Sequence, residues 1–233
     1  MTHSRSIRFS DIKQLFVALF VYFALIAVLA GYYLVFFATW GNLHEVVSRK
    51  VYRSAQPSPE GLKLWIKQYN IRTVINLRGD AGKVVEDELK PAGQSGITMI
   101  SIPFSSYRLP STDSLEKLIR AIETAQLPLL IHCYAGIDRA GTASALAAMA
   151  IGKVDYDTAK WQAYVPPGPW KRKRLRYSNP ADRYIHISDM FKLYEEYCKR
   201  NNLETSPWRQ FRQWAIDRRS LDKYVSEFQG VVP

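Results

Sequence analysis

The sequence predicts an α/β domain with a central mixed or parallel sheet flanked by helices, preceded by one transmembrane helix and followed by a helical C-terminal extension. Three observations predict this arrangement. A long uncharged run lies near the N-terminus, apolar stretches alternate with amphipathic ones between residues 50 and 152, and further helical stretches follow residue 187. With 233 residues, 47% of them hydrophobic, the chain is large enough for one domain with its own core.

The first element is the run at 15–40, which contains no charged side chain. As a helix, its 26 residues would reach roughly 39 Å at ~1.5 Å per residue, more than the ~30 Å hydrocarbon core of a bilayer. We therefore expect a tail at 1–14 and a membrane anchor at 15–40. A cleavable signal peptide would have a shorter apolar region and a small-residue cleavage site. A buried core helix is disfavoured because the run is apolar on every face.

The elements that follow are predicted from apolar patterns, caps and breakers. Strands rich in β-branched or aliphatic residues are predicted at 50–55, 72–77, 98–103 and 127–132. Ser58 and Pro59 are typical of a helix start, and this helix is expected to end at Asn70. Further helices are predicted at 83–90, 111–125, 139–152, and near 187–200 and 207–228. The predicted domain spans 48–200, and the extension spans 201–233.

Charge and cysteine content limit the possible partners. The formal net charge is +11, which favours anionic partners such as phosphorylated substrates, acidic lipid head groups or nucleic acid. No nucleic-acid recognition motif is present, so we expect no nucleic-acid partner. The basic run at 171–176 is either a solvated surface or a contact for anionic head groups. Two cysteines are too few for a disulfide framework, so the fold must depend on its core.

The segment HCYAGIDRAGTAS, at 132–144, predicts a phosphate-binding loop. An apolar strand enters Cys133, a short loop follows, and a helix then begins, so that backbone N–H groups and the positive helix end converge on one point. Such a field favours the nucleophilic thiolate form of a cysteine. Arg139 can bind two phosphate oxygens in a bidentate manner, Gly136 lets the backbone bend, and His132 can hold the loop through a hydrogen bond. The alternative is an inert buried cysteine beside a surface arginine.

The spacing His-Cys-x5-Arg resembles the signature of the cysteine-dependent protein tyrosine and dual-specificity phosphatase superfamily. The segments VYRSAQP and IRTVINLRGD are similar to the opening of its bacterial dual-specificity branch, so the resemblance covers about 48–152. It implies a phosphatase-like fold and hydrolysis through a cysteinyl-phosphate intermediate, with no metal or cofactor. It also implies that Cys133 and Arg139 are catalytic. The expected substrate-binding residues are those of the loop: His132, Tyr134, Ala135, Gly136, Ile137, Asp138 and Arg139.

The chain departs from this family pattern in two ways. Ala140 stands where members usually carry a Ser or Thr whose hydroxyl assists departure of the thiolate, and Thr142 is two residues further on. The upstream loop that usually carries the general acid has no carboxylate in its early part. Three aspartates are candidates for that role, each with a structural alternative. Asp113 could instead be a helix N-cap with Glu116 three residues later, Asp138 a tie to Arg139 or to loop amides, and Asp80 a turn residue.

Two functions from different classes follow. The first is a membrane-anchored phosphatase acting on phosphotyrosine or phosphoprotein, or on a lipid or inositol phosphate. The second is a catalytically weak pseudophosphatase that binds phosphate as an interaction module. Positive residues flank the anchor almost equally, with Arg5, Arg8 and Lys13 before it and Arg49, Lys50 and Arg53 after it. The short tail favours an N-terminus inside, which in a bacterium means an inner-membrane protein with a periplasmic catalytic domain.

Overall fold

The computed structural model describes residues 9–79, 93, 96–106, 109–164 and 187–217, and the chain divides into two units, Met1–Trp40 and Gly41–Pro233. The first unit contains helix α1, Phe9–Trp40. Its segment Lys13–Tyr32 has a mean hydropathy of 2.5, and none of its most apolar window is buried. By length and composition this segment is a candidate membrane span, and it overlaps the predicted anchor.

The second unit is built on a five-stranded mixed sheet. Its strands are β1 (His44–Val47), β2 (Val51–Ser54), β3 (Thr73–Asn76), β4 (Thr98–Ser101) and β5 (Leu129–His132). They lie in the order β1-β2-β5-β3-β4, and β1 pairs antiparallel with β2 while every other pair is parallel. The predicted α/β fold with a mixed central sheet is therefore confirmed, and β5 occupies the centre.

Helices flank this sheet. They are α2 (Pro59–Tyr69), α3 (Thr112–Thr124), α4 (Asp138–Ala150), the short α5 (Tyr156–Ala159) and α6 (Trp161–Tyr164), α7 (Asp189–Asn201) and α8 (Trp208–Ile216). Within the described residues, each predicted strand contains an observed one, and α2, α3, α4, α7 and α8 lie at or near predicted helices. The sequence patterns did not predict β1, α5 or α6. The helix predicted at 83–90, the basic run at 171–176 and Asp80 lie outside the described residues.

Two apolar layers cover the two faces of the sheet, because neighbouring strand residues point to opposite sides. One layer joins Tyr52, Val74 and Leu130 to Leu62 and Trp65 of α2. The other joins the alternate strand positions to the buried faces of α3, α4, α7 and α8; its strand members are Val51, Ile75, Leu129 and Ile131. Because β5 is the central strand, both of its faces are covered and both need apolar side chains. Its sequence, LLIH, provides them on both faces.

The helix ends follow from local chemistry. Ser58 caps α2 by accepting a hydrogen bond from the Gly61 backbone N–H at 3.0 Å, and Asn70 ends the helix with φ 52°. Ser111 caps α3 in the same way, accepting from the Ser114 N–H at 3.2 Å. The capping role considered for Asp113 is therefore wrong, because Asp113 is the second residue of α3 and lies in its first turn.

The C-terminal helix α8 packs into the main core. Phe211 and Trp214 are buried among aromatic rings of α5 and α7, with Tyr194 5.2 Å from Trp214 between ring centroids. At the surface, Arg212 Nε lies 2.9 Å from a carboxylate oxygen of Glu123 on α3. The division between a domain at 48–200 and an extension at 201–233 stays a prediction, although α8 shares the core of the residues before it.

Candidate active site

Cys133 lies directly after β5, at the carboxyl end of the central strand, and is only 2% exposed. Residues 134–137 form a short loop, and α4 begins at Asp138. Ligands of open α/β sheets bind at this edge, because loops and helix N-termini meet there. The fold thus brings the predicted nucleophile, the predicted loop and the start of a 13-residue helix to one place.

Neighbouring segments hold the loop from outside. The Asn42 side chain donates a hydrogen bond from Nδ2 to the Ala135 carbonyl oxygen at 2.8 Å. The Gln56 backbone N–H donates to the Tyr134 carbonyl at 3.1 Å. Gly136 has φ +69° and lies so close to the end of β2 that no side chain would fit there. These contacts fix the course of the loop before any ligand binds.

The backbone N–H groups of the loop remain available. Among the hydrogen bonds within the described part of the chain, none uses the N–H of residues 134, 135, 136 or 137 as a donor. Backbone donors beside a buried residue normally find an acceptor. Four such donors next to Cys133, at the positive end of α4, form a site for a tetrahedral anion.

Arg139 is oriented by two carbonyl groups. Its Nη1 donates to the Leu77 and Phe104 carbonyl oxygens, each at 3.3 Å, and its Nε is buried without a partner among the described residues. The anchored Nη1 orients the planar guanidinium, which leaves donors on the rest of the fork for a ligand. Such a fixed fork is suited to bidentate binding of phosphate.

His132 is fully buried at the end of β5. The pKa of its imidazole is lowered to about 3, mainly by burial and also by the charges of Arg78 and Arg139, while a hydrogen bond with the Cys133 backbone opposes the change. The ring is therefore neutral at ordinary pH and adds no charge beside the loop.

Comparison with known proteins agrees with this geometry. The family model PTP-NADK, described as a DSP-PTPase phosphatase fused to NAD+ kinase, matches residues 29–160, more than half of the chain. The chain belongs to this family of cysteine-dependent, dual-specificity-type protein tyrosine phosphatases. No curated protein sequence matched the chain.

One solved phosphatase structure shares the fold, and two others match with TM-scores below 0.5. The catalytic core of the PP-IP phosphatase SIW14 from S. cerevisiae is 17% identical, with a TM-score of 0.50, covering 69% of this chain and 93% of that one. P. aeruginosa TpbA in complex with pTyr is 22% identical, with a TM-score of 0.44, covering 54% and 73%. A putative phosphatase from Shewanella putrefaciens CN-32 is 25% identical, with a TM-score of 0.43, covering 51% and 78%.

The candidate general acids of this phosphatase differ in position. Asp138 is the first residue of α4, partly exposed and adjacent to Arg139 in sequence. Asp113 is exposed in the first turn of α3, on a different element from the loop. Asp80 lies outside the described residues. Asp138 is thus the residue directly after the loop, whereas Asp113 belongs to α3.

The position after the arginine is closed to solvent. Ala140 and Thr142 are both fully buried in α4, and the Thr142 hydroxyl has no hydrogen-bond partner among the described residues. A hydroxyl at position 140 would be the one next to Arg139, and the chain lacks it. The chain therefore departs from the usual phosphatase pattern at position 140.

Sequence reasoning missed one buried cation. Arg53 on β2 is 3% exposed, and its Nη1 donates to the Gln162 carbonyl oxygen at 2.8 Å. Burial lowers its pKa to about 10, and the charge of Cys133 opposes this lowering. Arg53 makes no ion pair within the described part of the chain. An arginine in the middle of a short strand that is otherwise buried was the signal that could have identified it.

Proposed function

We propose that the chain hydrolyses phosphate monoesters through a cysteinyl-phosphate intermediate. The observation that carries this proposal is the set of unused loop N–H groups around Cys133. Together with the oriented fork of Arg139, they provide donors for the non-bridging oxygens of a phosphoryl group. The same donors can hold those oxygens in the trigonal-bipyramidal transition state, in which they lie in the equatorial plane.

The reaction consists of two displacements at phosphorus. In the first, the Cys133 thiolate forms an S–P bond while the bond to the leaving oxygen breaks, and a general acid donates a proton to that oxygen. Asp138 is our candidate for this acid because it lies at the loop. In the second, a water oxygen forms a new O–P bond while the S–P bond breaks, the Asp138 carboxylate left by the first step accepts a proton from that water, and inorganic phosphate is released with the thiolate restored. The loop donors and Arg139 hold the phosphoryl oxygens throughout.

The substrate classes are phosphotyrosine in a protein and a lipid or inositol phosphate. Similar folds occur in a PP-IP phosphatase and in a protein solved with pTyr, which leaves both classes open. The net charge of +11 favours anionic substrates of either kind.

A pseudophosphatase is the second candidate function, and Ala140 favours it. Without a neighbouring hydroxyl, thiolate departure in the second displacement lacks a hydrogen-bond donor, so the phosphoenzyme would turn over slowly. The same loop would still bind phosphate, because its backbone donors and Arg139 do not depend on residue 140.

Turnover of p-nitrophenyl phosphate separates the two functions. The wild-type chain is expected to release phosphate, Cys133→Ser to release none, and Cys198→Ser to behave as the wild type. Cys198 is the matched control because it is the other cysteine and is equally buried, on α7, away from the loop. Phosphate binding without turnover in the wild-type chain would favour the pseudophosphatase.

We also propose that residues 15–40 anchor the domain in a membrane, with the N-terminus inside. The exposed apolar helix at Lys13–Tyr32 supports the anchor. The short tail supports the orientation, because it need not cross the membrane, while the basic residues on the two sides are equal in number: Arg5, Arg8 and Lys13 before the anchor and Arg49, Lys50 and Arg53 after it.

A fusion at Pro233 tests this orientation. Alkaline phosphatase, which is active only after export, is expected to be active there when the chain is produced in a bacterium. An inactive fusion, together with an active cytoplasmic reporter at the same position, would place the catalytic domain inside.

A further inference from the structure

A second cationic group lies beside the loop, in a cluster of Gln56, Arg78 and Tyr134 that we call the rim cluster. Arg78 follows the carboxyl end of β3, and its Cζ lies 5.3 Å from the centroid of the Tyr134 ring. Its Nη1 donates to Gln56 Oε1 at 2.8 Å, and its backbone N–H donates to Asn76 Oδ1 at 2.8 Å. The guanidinium is therefore held by two neighbours, Gln56 and Tyr134, while Asn76 binds the backbone of the same residue.

The rim cluster is physically continuous with the phosphate loop. Tyr134 directly follows Cys133, and its carbonyl accepts from the Gln56 N–H at 3.1 Å. Leu77, the residue before Arg78, accepts a hydrogen bond from Arg139. Arg139 thus contacts the residue before Arg78, while the Arg78 guanidinium contacts the ring of Tyr134 in the loop, so the two arginines lie on neighbouring parts of one site.

The charge of Arg78 is not neutralised within the described part of the chain. No carboxylate there pairs with Arg78, and of its five side-chain N–H donors the described contacts use one. Arg78 is partly exposed, and the Tyr134 ring is 68% exposed. A fixed, partly exposed guanidinium next to an open aromatic ring can bind both an anion and the carbon skeleton that carries it.

We propose that Arg78 determines specificity by binding a second phosphate group of the substrate. The substrate class is then a small molecule that carries two phosphate groups close together, one in the loop and one on Arg78. A soluble inositol polyphosphate and a bisphosphorylated lipid head group share this chemistry. The inference rests on the proposed function. It favours these substrates over a singly phosphorylated one, because a single phosphate would bind in the loop with Arg139 and leave Arg78 without an anionic partner from the substrate.

The test compares Arg78→Gln with Arg72→Gln in the full-length chain in detergent. Arg72 is the matched control, since it is an exposed arginine just before the opposite end of β3 and its loss changes the net charge equally. The substrates are p-nitrophenyl phosphate, inositol hexakisphosphate, and vesicles of phosphatidylcholine with phosphatidylinositol bisphosphate.

We expect Arg78→Gln to lower kcat/KM for inositol hexakisphosphate, for the bisphosphate vesicles or for both about tenfold more than for p-nitrophenyl phosphate. The change should lie mainly in KM, and Arg72→Gln should not reproduce this ratio. Loss confined to inositol hexakisphosphate would identify a soluble substrate, and loss confined to vesicles a lipid. Equal losses on all substrates, or the same ratio with Arg72→Gln, would overturn the proposal.

Binding separates this inference from the proposed catalysis. In the Cys133→Ser background, titration calorimetry with inositol hexakisphosphate and with inorganic phosphate measures affinity without turnover. Arg78→Gln should weaken the first about tenfold more than the second. If the wild-type chain shows no turnover but this selective loss remains, the proposed catalysis fails and the role of Arg78 stands. If aryl phosphate turnover depends on Cys133 but no selective loss is seen, the role of Arg78 fails alone.

Discussion

Replacing Gly136 by alanine should disable the phosphate loop. Gly136 has φ +69°, and a Cβ built on it would lie 2.5 Å from the Ala55 nitrogen and from the Ser54 carbonyl carbon, and 2.7 Å from the Ser54 oxygen. All three are backbone atoms at the end of β2, so no side chain can rotate away. Gly96 is a matched control, because its φ is +66° and nothing lies within 4 Å of its Cβ position.

The size of the effect follows from these distances. Both substitutions place a Cβ in the left-handed region, at a cost of roughly 1–2 kcal/mol. Only Gly136→Ala must also open a contact of 2.5 Å to an ordinary 3.4 Å, which moves the loop by about 0.9 Å. Misplacing a binding group by about 1 Å can cost about 100-fold in rate.

The assay is kcat/KM for p-nitrophenyl phosphate, with Tm measured in parallel. Gly136→Ala is expected to lose about 100-fold in kcat/KM and Gly96→Ala less than about twofold. The left-handed cost alone should lower Tm by about 2–8 °C in each variant. If Gly136→Ala retained the activity of Gly96→Ala, the contact between the loop and β2 would not position the phosphate donors, and the reasoning would be refuted.

Three further predictions concern groups around the loop. The pKa of His132 is lowered to about 3 in the fold from an ordinary 6.5, so its contribution to stability is complete above pH 6.5 and is lost as pH falls toward 3. The free energy of urea unfolding should fall by up to about 1.4 kcal/mol per pH unit over this range, and His132→Gln should remove this dependence. An equal slope of unfolding free energy against pH in the two proteins would contradict a buried, neutral His132. Asp138→Asn should lower kcat/KM for phenyl phosphate by about 100-fold, and Asp113→Asn by less than about twofold; the reverse order would assign the acid to Asp113. Asn42→Asp removes the donor to the Ala135 carbonyl and adds a negative charge, so KM should rise about tenfold; an unchanged KM would show that the loop does not need this bond.

The elements predicted well are those whose own residues determine them. The segment LLIH has three aliphatic residues in a row before His132, and only a strand covered on both faces can bury all three. The apolar residues of α3 recur at helical spacing, and Leu115, Leu118, Ile119 and Ile122 are all buried. In each case the local pattern and the tertiary environment require the same structure.

The elements missed depend on a partner elsewhere in the chain. Strand β1, His44–Val47, is a short and only partly buried edge strand, so it shows no clean alternation; its pairing with β2 through a turn at Arg49, φ 53°, makes it a strand. The cap of α3 was missed for a local reason, because Ser111 and Asp113 are both good caps and only the backbone distinguishes them.

The candidate site was predictable where it is continuous in sequence. Residues 132–139 contain the nucleophile, the loop and the arginine, and their spacing alone predicted where they would meet. Asn42 supports the loop from 93 residues away, and Arg78, just after β3, contacts the ring of Tyr134 in the loop. Their roles follow from the strand order β2-β5-β3, which the sequence did not reveal.

The most direct test of covalent catalysis at Cys133 is to capture the cysteinyl-phosphate intermediate. Wild-type chain is mixed with excess p-nitrophenyl phosphate, quenched within milliseconds, digested, and examined by mass spectrometry for added phosphate. If Cys133 is the nucleophile, we expect phosphate on the peptide that contains Cys133. We expect an equal amount in Cys198→Ser and none in Cys133→Ser. Phosphate on another residue, or turnover that persists in Cys133→Ser, would contradict it.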